Sequence, residues 1–447
     1  MLVVVYSSLF LLALLGLATY FKLRVVKDES ATNPTYTHFA LRTYLPLYLC
    51  VVLGDWLQGP YLYRLYHWHG FMETQVAVIY VSGMVSSALI FPAKDIIANR
   101  YGRRTTIVAF CFLYVLSCLA TAVPNYGVLL VGRCLSGLSN TIVFSGLESW
   151  YVHEHTQRFD FPSEWIPVTF GHVAFGSSVA AIVAGVLADV FARWLSFGPV
   201  SPFIVACPVL LVAGASIAAS WEENCGEKQT VSLKQFRKAA FEGLKTIVQN
   251  VQIFLIGTVQ SLFESVVFVF VFLWTPALDV YHDLPLGIAF ASFMTCFLVG
   301  SLVCDYLIAK NRFPPTQMLV VVTSSATVVF LVAAYFASNK TAPLYRLRML
   351  ICLQLFELLC GLYFPILRTL RESEVPQEVQ LSTVNWFRVP LTLFSSLALL
   401  SLQGATGGPP EIFLFCAAGM LLATAASASL AYLLSRKSST ENSSIIP

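Results

Sequence analysis

Two fixed charges inside an apolar run frame the chemistry this chain can do. From Gly132 to His155 it reads GRCLSGLSNTIVFSGLESWYVHEH, long enough to cross a bilayer, yet it carries Arg133 and Glu148. In a helix these two, fifteen residues apart, share nearly one face and lie roughly 22 Å apart along the axis. That face is not a lipid face, because a charge among acyl chains costs several kcal/mol unless it meets a partner or a watery cavity. A second embedded arginine, Arg388, sits in a later apolar run, with Asn385 one turn before it and Pro390 just after. The proline is expected to loosen the helix and turn backbone groups toward a cavity. Each arginine either faces that cavity as a ligand or is locked to a carboxylate, Asp55 or Glu148 in the case of Arg133, and serves assembly alone.

Three further acids repeat one pattern. Asp55 with Gln58, Glu264 with Gln260 and Glu357 with Gln354 are each acid and amide about one turn apart on one face, which suggests a polar lumen. A carboxyl in apolar surroundings can take up and release a proton near neutral pH, so Asp55, Glu148, Glu264 and Glu357 are candidates for a proton or charge relay. Alternatively these acids neutralise the arginines. His172 could join the relay or act as a packing donor between helices. The HEH triplet His153 to His155 has the residue types of a metal site, but one short cluster is far from a ligand set, and no metal or cofactor is expected.

The elements that must position these groups are membrane spans. The chain has 447 residues, 57% of them hydrophobic and 11% charged, with a mean hydropathy of +0.73, too little polar surface for a water-soluble globule. A net charge of +3 with no dense basic block argues against nucleic acid as a partner. The eleven cysteines are scattered, mostly inside apolar runs, with no disulfide or metal spacing. Residues 1–38 read as an extra membrane anchor followed by a basic linker, because no basic stretch or small-residue cleavage site marks a signal peptide. Twelve runs of spanning length follow and divide six from six: 39–220, a central loop 221–250, then 251–434 and a tail 435–447.

Nineteen Lys/Arg fall in segments on one side, against Arg64, Arg193, Lys340, Arg346 and Arg348 on the other. This bias predicts a cytoplasmic C-terminus and an extracellular N-terminus. It also puts Asn339-Lys340-Thr341 outside as a glycosylation triplet, whereas Asn442-Ser443-Ser444 lies inside. The aromatic series from Trp56 to Trp68 fits an interfacial belt. The amphipathic stretch 231–248 is expected to lie on the inner membrane face. Gly176, Ala180 and Ala184 form a close-packing face in the fifth span.

Six plus six helices around a basic central loop resemble the major facilitator superfamily, whose halves are related by an axis along the membrane normal. ANRYGRRT, Ala98 to Thr105, is similar to the D-R-x-G-R-R loop ending of that superfamily at Arg100, Gly102, Arg103 and Arg104. Asn99 stands where the acid is usual and Asp95 where the first glycine belongs. Arg133 and Gly137 match the fourth-helix pattern R-x-x-x-G, while the fifth-helix proline motif of drug/proton antiporters is missing.

DWLQGPYLYRLY (55–66), ESWYVHEH (148–155), FESVVFVFVFLWTPALD (263–279), CGLYFP (360–365) and NWFRVPL (385–391) resemble the molybdate-anion transporter family over nearly the whole chain. The resemblance implies an all-helical, multi-pass protein of the cell membrane, acting as a monomer, that takes up molybdate by alternating access. A tetrahedral dianion needs fixed cations and donors around four oxygens, and the planar fork of arginine suits it better than lysine. Arg133, Arg388, Asn385 and Gln58 are therefore the candidate ligands. Uptake against a negative-inside potential needs compensation, which makes proton coupling through Asp55, Glu264 or Glu357 a hypothesis. An enzyme is not expected, since no nucleophile and base sit at one depth. A non-transporting sensor or scaffold on the same fold, or a facilitator for another small anion or organic solute, remains the alternative.

Overall fold

The computed structural model describes residues 5–9, 12–13, 16, 33–224, 233–281, 283–339, 344–401 and 409–445. The chain enters through a single turn, Pro34–Tyr36, capped by Asn33, and wider π-helical turns, Thr37–Tyr44. The helices are then α1 (Leu45–Trp56), α2 (Leu62–Trp68), α3 (Glu73–Ile90), α4 (Lys94–Tyr101), α5 (Arg103–Ala120), α6 (Tyr126–His153), α7 (Trp165–Asp189) and α8 (Ser201–Ser220). After α9 (Leu233–Gln249) come α10 (Val251–Leu278), α11 (Leu286–Ala309), α12 (Pro315–Ser338), α13 (Tyr345–Glu374), α14 (Gln377–Leu400) and α15 (Pro409–Ile445). Among the described residues ten helices are long and apolar enough to cross a membrane. Two of the twelve expected runs fall outside that set for a visible reason. The first is interrupted after Trp56 by a turn through Gly59 and Pro60, and α14 carries Asn385, Arg388 and Pro390.

Helix starts are chemically marked. Asn125 accepts from the amides of Gly127 and Val128 at the start of α6, and Asn250 does the same for Gln252 and Ile253 at α10. One set of contacts joins α1, α3, α5, α6, α7 and α8, and a second joins α10 to α15. The two sets meet mainly where α7 packs on α11 and α3 on α14. At the first crossing, the space a Gly287 side chain would need is filled by the Gly185 carbonyl and Asp189. Only glycine lets the two backbones approach so closely. The small-residue face read at Gly176 lies against Leu49 of α1, so the inter-half crossing uses Gly185, one residue past Ala184.

Of the N-terminal run, the described residues 5–9, 12–13 and 16 are helical. Tyr6 accepts from the Trp194 indole at 3.3 Å, and Ser8 accepts from Gln354 at 3.3 Å. The 442–444 triplet belongs to the end of α15, and Asn339 is exposed at the end of α12, while Lys340 and Thr341 lie outside the described residues. In the central segment, α9 packs on α14, Gly243 meets Ser382, and Phe241 and Val248 face outward. Much of the amphipathic pattern read there, including Lys234 and Arg237, has side chains outside the described set.

Candidate functional site

A cavity of about 670 Å³ lies between the halves. It extends from Trp56, Gln58 and Leu62 toward Lys94 and Glu148, and α3, α6, α10 and α14 supply most of its wall. By volume this is room for about twenty waters at liquid density.

Arg133 and Arg388 both line it, one from each half. Arg133 is positioned by a close crossing of α3 and α6, where Gly137 packs on the Gly83 backbone and Ser86. Its stem runs along Gly83, and its guanidinium lies 5.6 Å from the Tyr80 ring. Nη1 reaches only Ser136 at 3.4 Å, and Nε is buried without a hydrogen-bond partner. Among the described residues it has no ion pair, so the lock to Asp55 or Glu148 weighed from sequence is not made. Asp55 instead accepts a short bond from Tyr114 and one of 2.8 Å from Asn140.

Arg388 stacks on Phe91 with its guanidinium carbon 3.4 Å from the ring centroid, a contact across the halves. Glu264 lines the same cavity, with Arg371 and then Arg388 the cations that act on it and the Gln260 amide donating to it. Beside Pro390, the Phe387 and Leu391 carbonyls accept from Ser261 and Ser265 of α10 at 2.9 and 3.0 Å, which ties α14 to α10. Asn385 does not line the cavity, and its Oδ1 is buried without a partner. Gln58 does line it, and donates to the Gly54 carbonyl at 3.2 Å.

The remaining acids separate by place. Glu148 lines the cavity and faces Lys94 and Arg368, one cation from each half. Glu357 is buried outside the lining, near Cys296 and Cys360. Its sequence partner Gln354 bonds Ser292 at 3.0 Å. His172 is exposed on α7 and its Nδ1 meets the Val168 carbonyl of its own helix at 3.0 Å, away from the cavity. His155 is held between the Tyr151 hydroxyl and the Pro162 carbonyl, a packing role.

The basic loop is held by residues the motif does not contain. Gly102 has φ +91°, and Glu223, just past α8, occupies the space a side chain there would need. Glu223 accepts from the amides of Arg104 and Thr105 at 3.0 and 2.9 Å, capping α5. Arg104 donates to the Trp221 carbonyl at 2.9 Å, and Arg103 reaches Asn99 at 3.3 Å and Asn224 at 3.5 Å. Arg100 lies beside the Tyr101 ring. The carboxylate that holds this loop thus comes 124 positions after Asn99 in the chain, which no local pattern reveals.

A family model described as sugar transporters with twelve transmembrane segments matches residues 1–358. The Molybdate-anion transporter of Xenopus laevis is 39% identical over 432 residues, covering 94% of this chain and 93% of its own. The chain belongs to the molybdate-anion transporter family, within the major facilitator superfamily. Its relative of the same name in Danio rerio is 36% identical over 464 residues, covering 96% of each. Among solved structures, a D-xylose–proton symporter is similar with a TM-score of 0.67 at 11% identity, over 87% of this chain and 96% of that one. The nucleoside transporter NupG has a TM-score of 0.61 at 12% identity, over 88% and 98%. At that identity these two speak to the fold alone. As a member of this family the chain is a multi-pass membrane transporter, not an enzyme.

Proposed function

We propose that this transporter carries molybdate into the cell by alternating access, with the anion held between Arg133 and Arg388. The observation that carries this reading is a pair of guanidinium groups, one per half, on the wall of one cavity, of which Arg133 has a buried Nε without a partner. The names of the relatives supply the substrate. The face bearing Arg103 and Arg104 is cytoplasmic, the halves divide at 221–250, and the protein works as a monomer in the plasma membrane. The cavity is far larger than one oxyanion, so the anion enters hydrated and the halves must close on it before donors can surround four oxygens.

Glu264 is the coupling acid in this reading, because Arg371 and Arg388 act on it while Asp55 is engaged by Tyr114 and Asn140. A dianion moving into a negative interior is opposed by about 4.6 kcal/mol per 100 mV, and a proton carried on Glu264 removes half of that opposition. Purified protein in vesicles is expected to accumulate molybdate, and Arg133→Gln and Arg388→Gln are each expected to lose it. Binding without accumulation would establish the sensor reading instead; accumulation unaffected by either arginine variant would remove the site.

A further inference from the structure

On the face away from Arg103 and Arg104 a charged contact, backed by an aromatic layer, fastens the two halves among the described residues. Arg64 of α2 places Nη2 2.7 Å from Oδ2 of Asp279, the residue that follows α10. Asp279 is 4% exposed, and its Oδ1 accepts from the Leu284 amide at 3.1 Å. The carboxylate is therefore fixed by the second half and answered by a cation of the first. Toward the membrane centre, Tyr63 and Tyr80 meet the Phe272 ring edge-on at 5.4 and 5.2 Å, and Trp56 meets Phe290 at 5.6 Å. Each of these contacts joins one half to the other. Close by, Gly185 and Gly287 touch, and Tyr61 donates to Asp189 at 2.7 Å beside that crossing.

We propose that the Arg64–Asp279 pair is the lock that holds the cavity shut on this face, and that its rupture is the step that admits solute there. Its chemistry suits a switch. While the halves touch, the buried carboxylate has its counter-ion; when they part, both charges must be taken up by water, so the intermediate with one charge buried alone is strongly disfavoured. The aromatic layer beneath excludes water from the cavity but carries no such all-or-none character.

A cysteine at Met84, which lines the cavity, reports the state directly when labelled by a membrane-impermeant maleimide applied from the Arg64 face, with the parent protein as background. Labelling of Met84→Cys is expected to be slow, to rise about tenfold when Arg64→Ala or Asp279→Ala is added, and to fall back in the exchanged pair Arg64→Asp with Asp279→Arg. Arg64→Gln and Asp279→Asn serve where an alanine variant does not reach the membrane. Unchanged labelling in the single variants, or an exchanged pair that labels as fast as they do, overturns the lock. Because no solute is present, this outcome is independent of whether molybdate is the cargo.

Discussion

Removing one guanidinium from the cavity removes charge-assisted hydrogen bonds worth about 1.5–3 kcal/mol. Arg133→Gln is accordingly expected to weaken molybdate binding by about ten- to a hundred-fold, read by equilibrium binding in detergent. Arg388→Lys is expected to be nearly as damaging as Arg388→Gln, because an ammonium neither stacks flat on Phe91 as the guanidinium does nor presents a two-bond fork. At Glu264 the groups in play are Arg388 and Arg371, with Gln260 as the neutral donor. Glu264→Gln is expected to flatten the pH dependence of uptake, whereas Glu357→Gln, outside the cavity lining, leaves it unchanged. Uptake measured over a pH series separates the two. Tyr114→Phe deprives Asp55 of a donor while Asn140 still bonds it, and is expected to cost about 1–3 kcal/mol of stability.

Among the elements, α5 depends on a carboxylate delivered from the end of α8. Glu223→Ala leaves the Arg104 and Thr105 amides uncapped and is expected to cost about 0.5–2 kcal/mol, seen as a lower thermal unfolding temperature. Gly102→Ala should cost more, since φ +91° disfavours any side chain and Glu223 fills its space. Outside the membrane-spanning helices, the Arg346 guanidinium donating to Asp283 holds that carboxyl below its ordinary range. The stabilisation from this pair is present above the ordinary carboxylate value and is lost as pH falls through the lower, paired one. It therefore contributes no pH dependence near neutrality, and Arg346→Ala is expected to leave the neutral-range pH profile of uptake in place.

For the molecule as a whole, the crossing of α7 and α11 is the pivot candidate. Gly287→Leu would drive a side chain into the Gly185 carbonyl and Asp189, so the halves could not approach on the Arg64 face. The expected result is assembled protein with uptake below about a tenth of the parent, since alternation requires both closures. Transport assays normalised to protein in the membrane check it.

Membrane class, spans and the embedded charges were legible because hydropathy and charge act over runs of neighbouring residues, and a charge such as Arg133 or Arg388 is conspicuous against twenty apolar positions. The acid–amide spacing found Asp55, Gln58 and Glu264 on the cavity wall, but the same one-turn rule could not separate them from Glu357, which turns into its own half. Which side of a helix faces its neighbour depends on where the other helices lie. For the same reason the roles of Asp279, Glu223 and Tyr114 are not legible in the sequence: each acts through a partner distant in the chain, Arg64, the α5 amides and Asp55. What the chain declares by itself is how much charge it carries into the bilayer. Which of those charges meet each other is decided only by packing, because electrostatic and hydrogen-bond partners are chosen by distance in space.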